Sequence, residues 1–352
     1  MASGSGVSSV KALSESNGGA LIPSRYHTLT DSEGRDDMAD ELAALIPVID
    51  FSRLTSPDSQ IHAAAVRKLG QACQHWGFFM ITNHGIPESL MEHVLDKAIE
   101  FHNLPLEEKK EFCNDDLLPS IKYGTSALSR GVGGNVHYWI DHLKVYNFHG
   151  QLNFPHKPPG FKEIAVEYSK AIRGLSRTLL QGISESLGLK PDAIIEYSGF
   201  DHGYQKLQLN LYPPCPQPDL ALGLPPHTDN GFLDILIQNG IRGLQLKHNG
   251  KWVNVDPLPN SLIVNTGDQL EVVSNGRYKS VWHRAVVNEK ETRVSVVAAN
   301  GPEADKEMGP APELLEKEKP LFKSMTYKDY VRLQRKVICA SMPRGLEAIR
   351  IN

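Results

Sequence analysis

No apolar stretch in this chain approaches the length of a membrane span, so a helical membrane protein is not the expectation. Cations do not cluster either. Thirty-seven Lys and Arg stand against 41 Asp and Glu, the formal charge is −4, and no basic patch offers itself to nucleic acid. Cysteine is scarce: Cys73, Cys113, Cys215 and Cys339 lie far apart and form no C-x-x-C, which reads as reduced thiols rather than a disulfide framework or a zinc site. Residues 1–45 hold few apolar side chains to offset ordering entropy, lack an apolar signal core, and are too acidic from Asp31 to Glu41 for a transit peptide. A disordered leader over 1–45, a cytoplasmic location and a monomer are the expectations, with neither membrane nor nucleic acid as partner.

What remains is a chain of 352 residues, 40% hydrophobic, long enough to bury a large core. Ile61, Ala65, Leu69, Cys73 and Trp76 recur at helical spacing until Gly77, after which Phe78 to Thr82 reads as a short strand. A second helix follows Pro87, with Leu90, Val94, Ala98 and Phe101 on one face. The longest helical pattern runs from Phe161 through Ile164, Tyr168, Ile172, Leu175, Leu179, Ile183 and Leu187, and Gly188 ends it. From Gln205 to Ala299 the pattern changes to short strands broken by Pro, Gly and Asn: Leu207–Leu211, Leu233–Gln238, Leu244–Lys247, Trp252–Val255, Leu262–Asn265 and a final pair. Such spacing argues a sandwich or barrel.

Within that region His227-Thr228-Asp229 is followed 54 residues on by His283, and then by Arg293-Val294-Ser295. Two imidazoles and a carboxylate on one face of an octahedral Fe(II) leave three positions open for a chelating co-substrate and dioxygen. Residues two apart on a strand point the same way, so His227 and Asp229 are expected to reach one ion from one extended segment. An H-x-D triplet arises by chance about once in a chain this rich in histidine, so the surrounding pattern matters. Val281–Val287 reads as a strand, Asn288–Thr292 as its turn and Arg293–Ala299 as the returning arm, a hairpin carrying His283 on one arm and Arg293 with Ser295 on the other. Alternation puts Arg293, Ser295 and Val297 on one face, and Val294, Val296 and Ala298 on the other. A guanidinium aimed inward from an apolar strand needs an anion, and its planar fork matches a carboxylate. His75, His93, His137, His142 and His202 lack a paired ligand at useful spacing and read as surface or hydrogen-bonded core residues.

Several motifs carry a resemblance. Asn210-Leu211-Tyr212-Pro213-Pro214-Cys215-Pro216-Gln217-Pro218, the His227-Thr228-Asp229 triplet, Gly243-Leu244-Gln245, Asn265-Thr266-Gly267-Asp268, Ser274-Asn275-Gly276, His283-Arg284-Ala285 and the R-x-S occur in order. Upstream stand Ile46-Pro47-Val48-Ile49-Asp50, Trp76-Gly77-Phe78-Phe79 and Asn83-His84-Gly85-Ile86-Pro87. Over residues 46–340 the chain resembles the plant soluble 2-oxoglutarate/Fe(II)-dependent dioxygenases, and is similar to the flavonol synthase and downy-mildew-resistance types among them. The resemblance implies an α+β fold with a double-stranded β-helix, or jelly-roll, core flanked by helices, one of them a long spine. It divides the chain into an N-terminal helical and strand region at 46–160, the spine helix and a connector at 161–200, the jelly-roll core at 201–302 and a C-terminal helical lid at 303–352.

It also implies Fe(II) held by His227, Asp229 and His283, with 2-oxoglutarate, dioxygen and ascorbate as reductant. Arg293 and Ser295 match the positions that hold the distal carboxylate of 2-oxoglutarate, and Asn210 and Tyr212 line the same pocket. The implied reaction releases succinate and carbon dioxide and hydroxylates a small-molecule substrate, with desaturation, demethylation or cyclisation as variants. Relatives of this kind commonly place a large residue, often Phe, six positions after the arginine, where this chain has Ala299 followed by Asn300. An opened pocket with an amide beside it implies a bulky, largely apolar metabolite such as a flavonoid, coumarin, alkaloid or terpenoid. Tyr123, Tyr138, Phe232, Ala299, Asn300 and Tyr330 are the expected substrate-pocket residues, with the segment around Trp139 and the helix carrying Tyr327, Leu333 and Val337 nearby. Two alternatives stay open at this point: an iron oxidase of the same fold that does not use 2-oxoglutarate, and a non-catalytic small-molecule binding protein.

Overall fold

The computed structural model describes residues 9–16, 21–29, 38–113, 120–125, 136–147, 153–339 and 344–351, side chains at 335–339 excepted. Twelve strands build its two principal sheets: β1 (Val48–Asp50), β2 (Phe78–Thr82), β3 (Ile121–Thr125), β4 (Asp141–Asn147), β5 (Gln205–Tyr212), β6 (Leu222–His227), β7 (Leu233–Gln238), β8 (Leu244–His248), β9 (Lys251–Asn254), β10 (Leu262–Thr266), β11 (His283–Val286) and β12 (Arg293–Asn300). The major sheet runs β1-β2-β10-β7-β12-β5-β4-β3, and the minor sheet runs β6-β11-β8-β9. Both sheets line one cavity, the opposed-sheet plan of a jelly roll.

Helices cover the back of the major sheet. α1 (Ser59–His75) starts where the Asp58 carboxylate accepts from the Gln60 and Ile61 amides, and it stops before Gly77, whose φ of 61° suits a residue without Cβ. α2 (Glu88–Asn103) buries Leu90, Val94, Ala98 and Phe101 as its spacing predicts. α3 (Phe161–Ser186) is the spine; Gly188 beyond it has φ 81°, and the Leu189 amide turns back to the Ser184 carbonyl. The apolar stripes of these helices meet Leu207, Leu209 and Leu211 of β5 and Val294, Val296 and Ala298 of β12 in one continuous core.

This packing locks β12 in register. Slipping it by one residue would bury Arg293 and Ser295 among the helices and turn three apolar side chains into the cavity. Val294 and Val296 would each forfeit about 1.5–3 kcal/mol of burial. The predicted alternation along 293–298 is therefore the one the fold adopts.

Three expectations change. β11 and β12 are not a hairpin: β11 pairs with β6 and β8, β12 with β5 and β7, and the 288–292 turn carries the chain from one sheet to the other. Both segments bury one face against different partners, which sequence alternation alone does not distinguish from mutual pairing. The strand-bearing core is not confined to 201–302, because β1, β2, β3 and β4 from the N-terminal region complete the major sheet. β3 and β4 have no distinctive run of their own and are strands because β5 offers β4 an edge and β4 in turn offers one to β3.

The leader, finally, is ordered in part. Val10–Ser16 is a helix, and Val10 is fully buried where its amide and that of Lys11 donate to the Asp141 carboxylate at 2.9 and 3.0 Å. Ile22 and Tyr26 join Tyr138, Trp139 and Tyr212 in a second cluster. A few apolar residues docking onto a surface that already exists suffice to order a segment too poor to fold alone.

Candidate active site

His227 and His283 are cross-strand partners in β6 and β11, so same-face geometry brings their rings together with centroids 4.1 Å apart. Each ring is oriented by the backbone. The Nδ1 of His227 lies 2.8 Å from the Pro225 carbonyl and that of His283 lies 3.1 Å from the Val281 carbonyl. With Nδ1–H donating, both Nε2 lone pairs are left for a metal, as a ligating histidine requires. Phe78 packs edge-on against His283.

Asp229 completes the set in a different way from that expected. β6 ends at His227, and Asp229 lies in the following turn, pinned by its carbonyl accepting from the Asp268 amide at 2.7 Å. Its Oδ1 is 3.9 Å from His227 Nε2 and its Oδ2 is 3.4 Å from His283 Nε2. Donor atoms from all three residues lie within 4.8 Å of one another. Asn265 Nδ2 donates to Asp229 Oδ2 at 2.8 Å and steers the carboxylate. Burial drives the His227 pKa down to about 4, keeping the ring neutral and able to donate. For Asp229 burial pushes upward, but the two imidazoles, Lys206 and Asn265 outweigh it and hold the group at about 2.

Behind this cluster lies the arginine. Arg293 and Ser295 of β12 stand directly opposite Tyr212 and Asn210 of β5. Arg293 is 2% exposed, its guanidinium lies 5.0 Å from the Tyr212 ring centroid, and Nη2 donates to Gln238 Oε1 at 2.7 Å. Its Nε has no hydrogen-bond partner, and among the described residues no carboxylate pairs with it. Burial lowers its pKa, while the Tyr212 hydroxyl, within hydrogen-bond reach of Arg293 and Ser295, works the other way. Asn210 Nδ2 donates to Ser295 Oγ at 3.2 Å and its Oδ1 accepts from Gln208 at 2.8 Å. A buried cation with an orphaned donor, facing a cavity, fits a carboxylate ligand. A Cβ on Gly243 would come within 2.7 Å of Arg293 Cδ, so glycine is what admits the arginine's arm.

Metal cluster and arginine open onto one cavity of about 920 Å³. Its outer part is lined by Tyr138, Tyr146, Tyr204 and Ala299, with Tyr327 and Val331 from the C-terminal helix α4 (Tyr327–Cys339) closing over them. Of the six expected substrate residues only Tyr138 and Ala299 are there. Tyr123 points from the back of the major sheet toward Phe101, 6.2 Å between centroids, and Phe232 is wholly buried in the main core. Asn300 faces the spine: its Oδ1 accepts from Gln205 Nε2 at 3.2 Å and Arg173 Nη1 at 3.3 Å, so its amide is not available to a ligand. Alternation explains this, since Asn300 follows the cavity-facing Ala299. Tyr330 is buried beneath α4, donating to Asp268 Oδ2 at 2.6 Å, and Trp139 donates to the Pro213 carbonyl at 3.0 Å. Val337 lies outside the described side chains. Helical period separates Tyr327 and Val331, four apart and facing the cavity, from Tyr330.

Lys206, Asp234, Tyr204 and Trp282 also line the cavity, and no local pattern singles them out. Asn265 and Asp268 could have been found from the Asn265-Thr266-Gly267-Asp268 motif. Among the other histidines, His84 accepts from the Ile86 amide at 3.2 Å and braces a turn, and buried His142 packs under Gly124.

Residues 203–302 match the model of the 2OG-Fe(II) oxygenase superfamily, and residues 46–160 match that of the non-haem dioxygenase in morphine synthesis N-terminal region. The chain is 43% identical to 2-oxoglutarate-dependent dioxygenase 19 of Oryza sativa subsp. japonica, covering 82% of this chain and 86% of the relative. It is 42% identical to flavanone 3-dioxygenase 2 of the same organism, covering 82% and 83%. The crystal structure of JOX2 in complex with 2OG, Fe and JA superposes with a TM-score of 0.84 at 33% identity, covering 98% of both chains. Relatives that use 2-oxoglutarate remove the support for a co-substrate-free oxidase and for a non-catalytic binding protein. The chain belongs to the 2OG-Fe(II) oxygenase superfamily and is an Fe(II)/2-oxoglutarate-dependent dioxygenase.

Proposed function

We propose that this enzyme hydroxylates, or by the same chemistry desaturates, demethylates or cyclises, a bulky and largely apolar specialised metabolite of the flavonoid, coumarin, alkaloid or terpenoid kind, as a cytoplasmic monomer. The observation that carries the assignment of roles is Arg293: a buried guanidinium with an orphaned Nε and no carboxylate partner among the described residues, opening onto the same cavity as His227, Asp229 and His283. His227, Asp229 and His283 hold the iron; Arg293 and Ser295 hold the far carboxylate of 2-oxoglutarate, with Tyr212 and Asn210 fixing their orientation. Iron and 2-oxoglutarate together supply the oxidising power: dioxygen, 2-oxoglutarate and a C–H bond become succinate, carbon dioxide and a C–OH group. The protein's part is geometry. Carbonyls on the Nδ1 atoms keep the imidazoles aimed, Asn265 aims the carboxylate, and the tyrosine-lined mouth presents the substrate while excluding water.

About 920 Å³ accommodates 2-oxoglutarate and a multi-ring substrate together, at the upper end of small-molecule sites. The relatives named for flavanones support a polycyclic substrate of that size. The test begins without a substrate: anaerobic protein with Fe(II) is titrated with 2-oxoglutarate, and the visible charge-transfer band of a chelated keto acid is expected in wild type and absent from His283→Ala. Metabolites are then screened for stoichiometric succinate release and an oxidised product by mass spectrometry. Turnover only of small hydrophilic compounds would refute the substrate class.

A further inference from the structure

The cavity floor is a grid of cross-strand rows, and its outermost row is unusual. Tyr146 of β4 pairs with Lys206 of β5, Lys206 with Ala299 of β12, and Ala299 with Asp234 of β7, all four lining the cavity. Ala299 offers only a methyl, so the row has a gap, walled by Lys206 on one side and Asp234 on the other. Strands lie about 4.8 Å apart, which puts the two backbones roughly 10 Å from each other across it. Ser295 lies four residues along the same strand, about 13 Å from this row at strand rise, so the row belongs to the substrate end rather than the 2-oxoglutarate end.

Neither wall is fully satisfied among the described residues, although the Asp234 carboxyl lies within hydrogen-bond reach of the Asp229 carboxyl. Asp234 is 1% exposed and its Oδ1 has no hydrogen-bond partner. The Lys206 ammonium has no hydrogen bond or ion pair among the described residues. A buried acceptor left without a donor is costly, and its retention beside a cavity points to a ligand that satisfies it. The surroundings are aromatic: Tyr204 lies 6.4 Å from Tyr146 and 5.5 Å from Tyr327 between ring centroids, and Ala299 packs in the same cluster.

The chemistry of the two walls discriminates among ligands. A carboxylate would satisfy Lys206 but set acceptor against acceptor at Asp234. An ammonium would satisfy Asp234 but face the like charge of Lys206. A hydroxyl does both, donating its proton to Asp234 Oδ1 while its oxygen accepts from Lys206 Nζ. The tyrosine walls favour carrying that hydroxyl on an aromatic ring.

Resting on the oxygenase reading above, we infer that Lys206 and Asp234 are specificity-determining residues that anchor a phenolic hydroxyl of the substrate over Ala299. The anchored ring fixes which C–H bond faces the iron.

The test uses full-length protein loaded anaerobically with Fe(II) and 2-oxoglutarate, titrated with flavanone and with its monohydroxy, monomethoxy and monocarboxy derivatives on either aryl ring. Binding is read by intrinsic fluorescence, since Trp282 lines the cavity. At least one hydroxyflavanone is expected to bind roughly tenfold or more tighter than its methoxy, carboxy and unsubstituted counterparts, as a hydrogen bond to a charged group allows. Lys206→Met and Asp234→Leu are each expected to erase that preference, and Asp234→Asn, which keeps an acceptor oxygen, to retain most of it. Should Asp234→Leu fail to load iron, Lys206→Met decides alone. A preference that survives Lys206→Met, equal binding of all the probes, or binding of none overturns the anchor. The charge-transfer band separates the two failures: its presence with no phenol preference removes the anchor and leaves the oxygenase reading standing, and its absence removes that reading itself.

Discussion

The two ends of the cavity are built by different means. At the deep end Arg293, Ser295, Asn210 and Tyr212 sit face to face on two neighbouring strands; Asn210 bonds Ser295, and the Gln208 and Gln238 side chains hold Asn210 and Arg293. At the mouth Tyr146, Lys206, Ala299, Asp234 and Tyr327 come from four strands and a helix, and the Lys206 ammonium and Asp234 Oδ1 have no hydrogen-bond partner among the described residues. A site for a co-substrate of one shape is best made rigid by a short stretch of register. A site for a variable substrate is assembled from elements that can change one at a time.

Substitutions at the metal, the deep end and the mouth should accordingly fail in distinct ways. The largest effect is expected at the metal: Asp229→Ala leaves two imidazoles and should lose iron by more than the roughly 10–100-fold typical of disturbing an outer partner, with no turnover left. Metal analysis after dialysis checks this, and full iron retention would remove Asp229 from the ligand set. Arg293→Lys replaces a fork by a point charge at a site shaped for a carboxylate. The KM for 2-oxoglutarate should rise about tenfold or more, with the KM for the prime substrate nearly unchanged. If the prime-substrate KM moved instead, the deep end would be holding the wrong ligand.

Asn265→Ala removes the hydrogen bond that aims Asp229 while leaving all three ligands. Weaker iron affinity, at the lower end of that 10–100-fold range, is expected by competition with a chelator, and kcat at saturating iron should fall less. Ala299→Phe is the smallest perturbation of stability because the cavity receives the new ring. It should raise the KM of multi-ring substrates several-fold and leave the 2-oxoglutarate charge-transfer band as it is. A large phenyl-bearing ligand that bound only the Phe variant would contradict the open mouth.

How much of this was legible beforehand follows the same division. Helices α1, α2 and α3 and their Gly77 and Gly188 ends could be read from spacing, because helical period and positive-φ glycine are properties of adjacent residues. The inward face of β12 could be read for the same reason. The 281–299 segment shows where such reading stops, because two strands joined by a short turn read as a hairpin until partners from elsewhere, β6 and β8 for one and β5 and β7 for the other, claim their edges. Tyr123, Phe232 and Tyr330 failed as pocket residues because an aromatic side chain suits a core and a pocket wall equally well.

The chain by itself determined which atoms do the chemistry. His227, Asp229, His283, Arg293 and Ser295 are chosen by donor type, and their directions follow from strand alternation and short turns, which are local. Only the tertiary structure decided what those atoms face: that β11 and β12 lie in opposed sheets with a cavity between them, that Asn300 turns to the spine and Ala299 to the cavity, and that Lys206 and Asp234 flank Ala299 in one cross-strand row. Those juxtapositions join residues tens of positions apart. They are set by which apolar faces can be buried together, a condition that the whole chain satisfies at once and no segment carries alone.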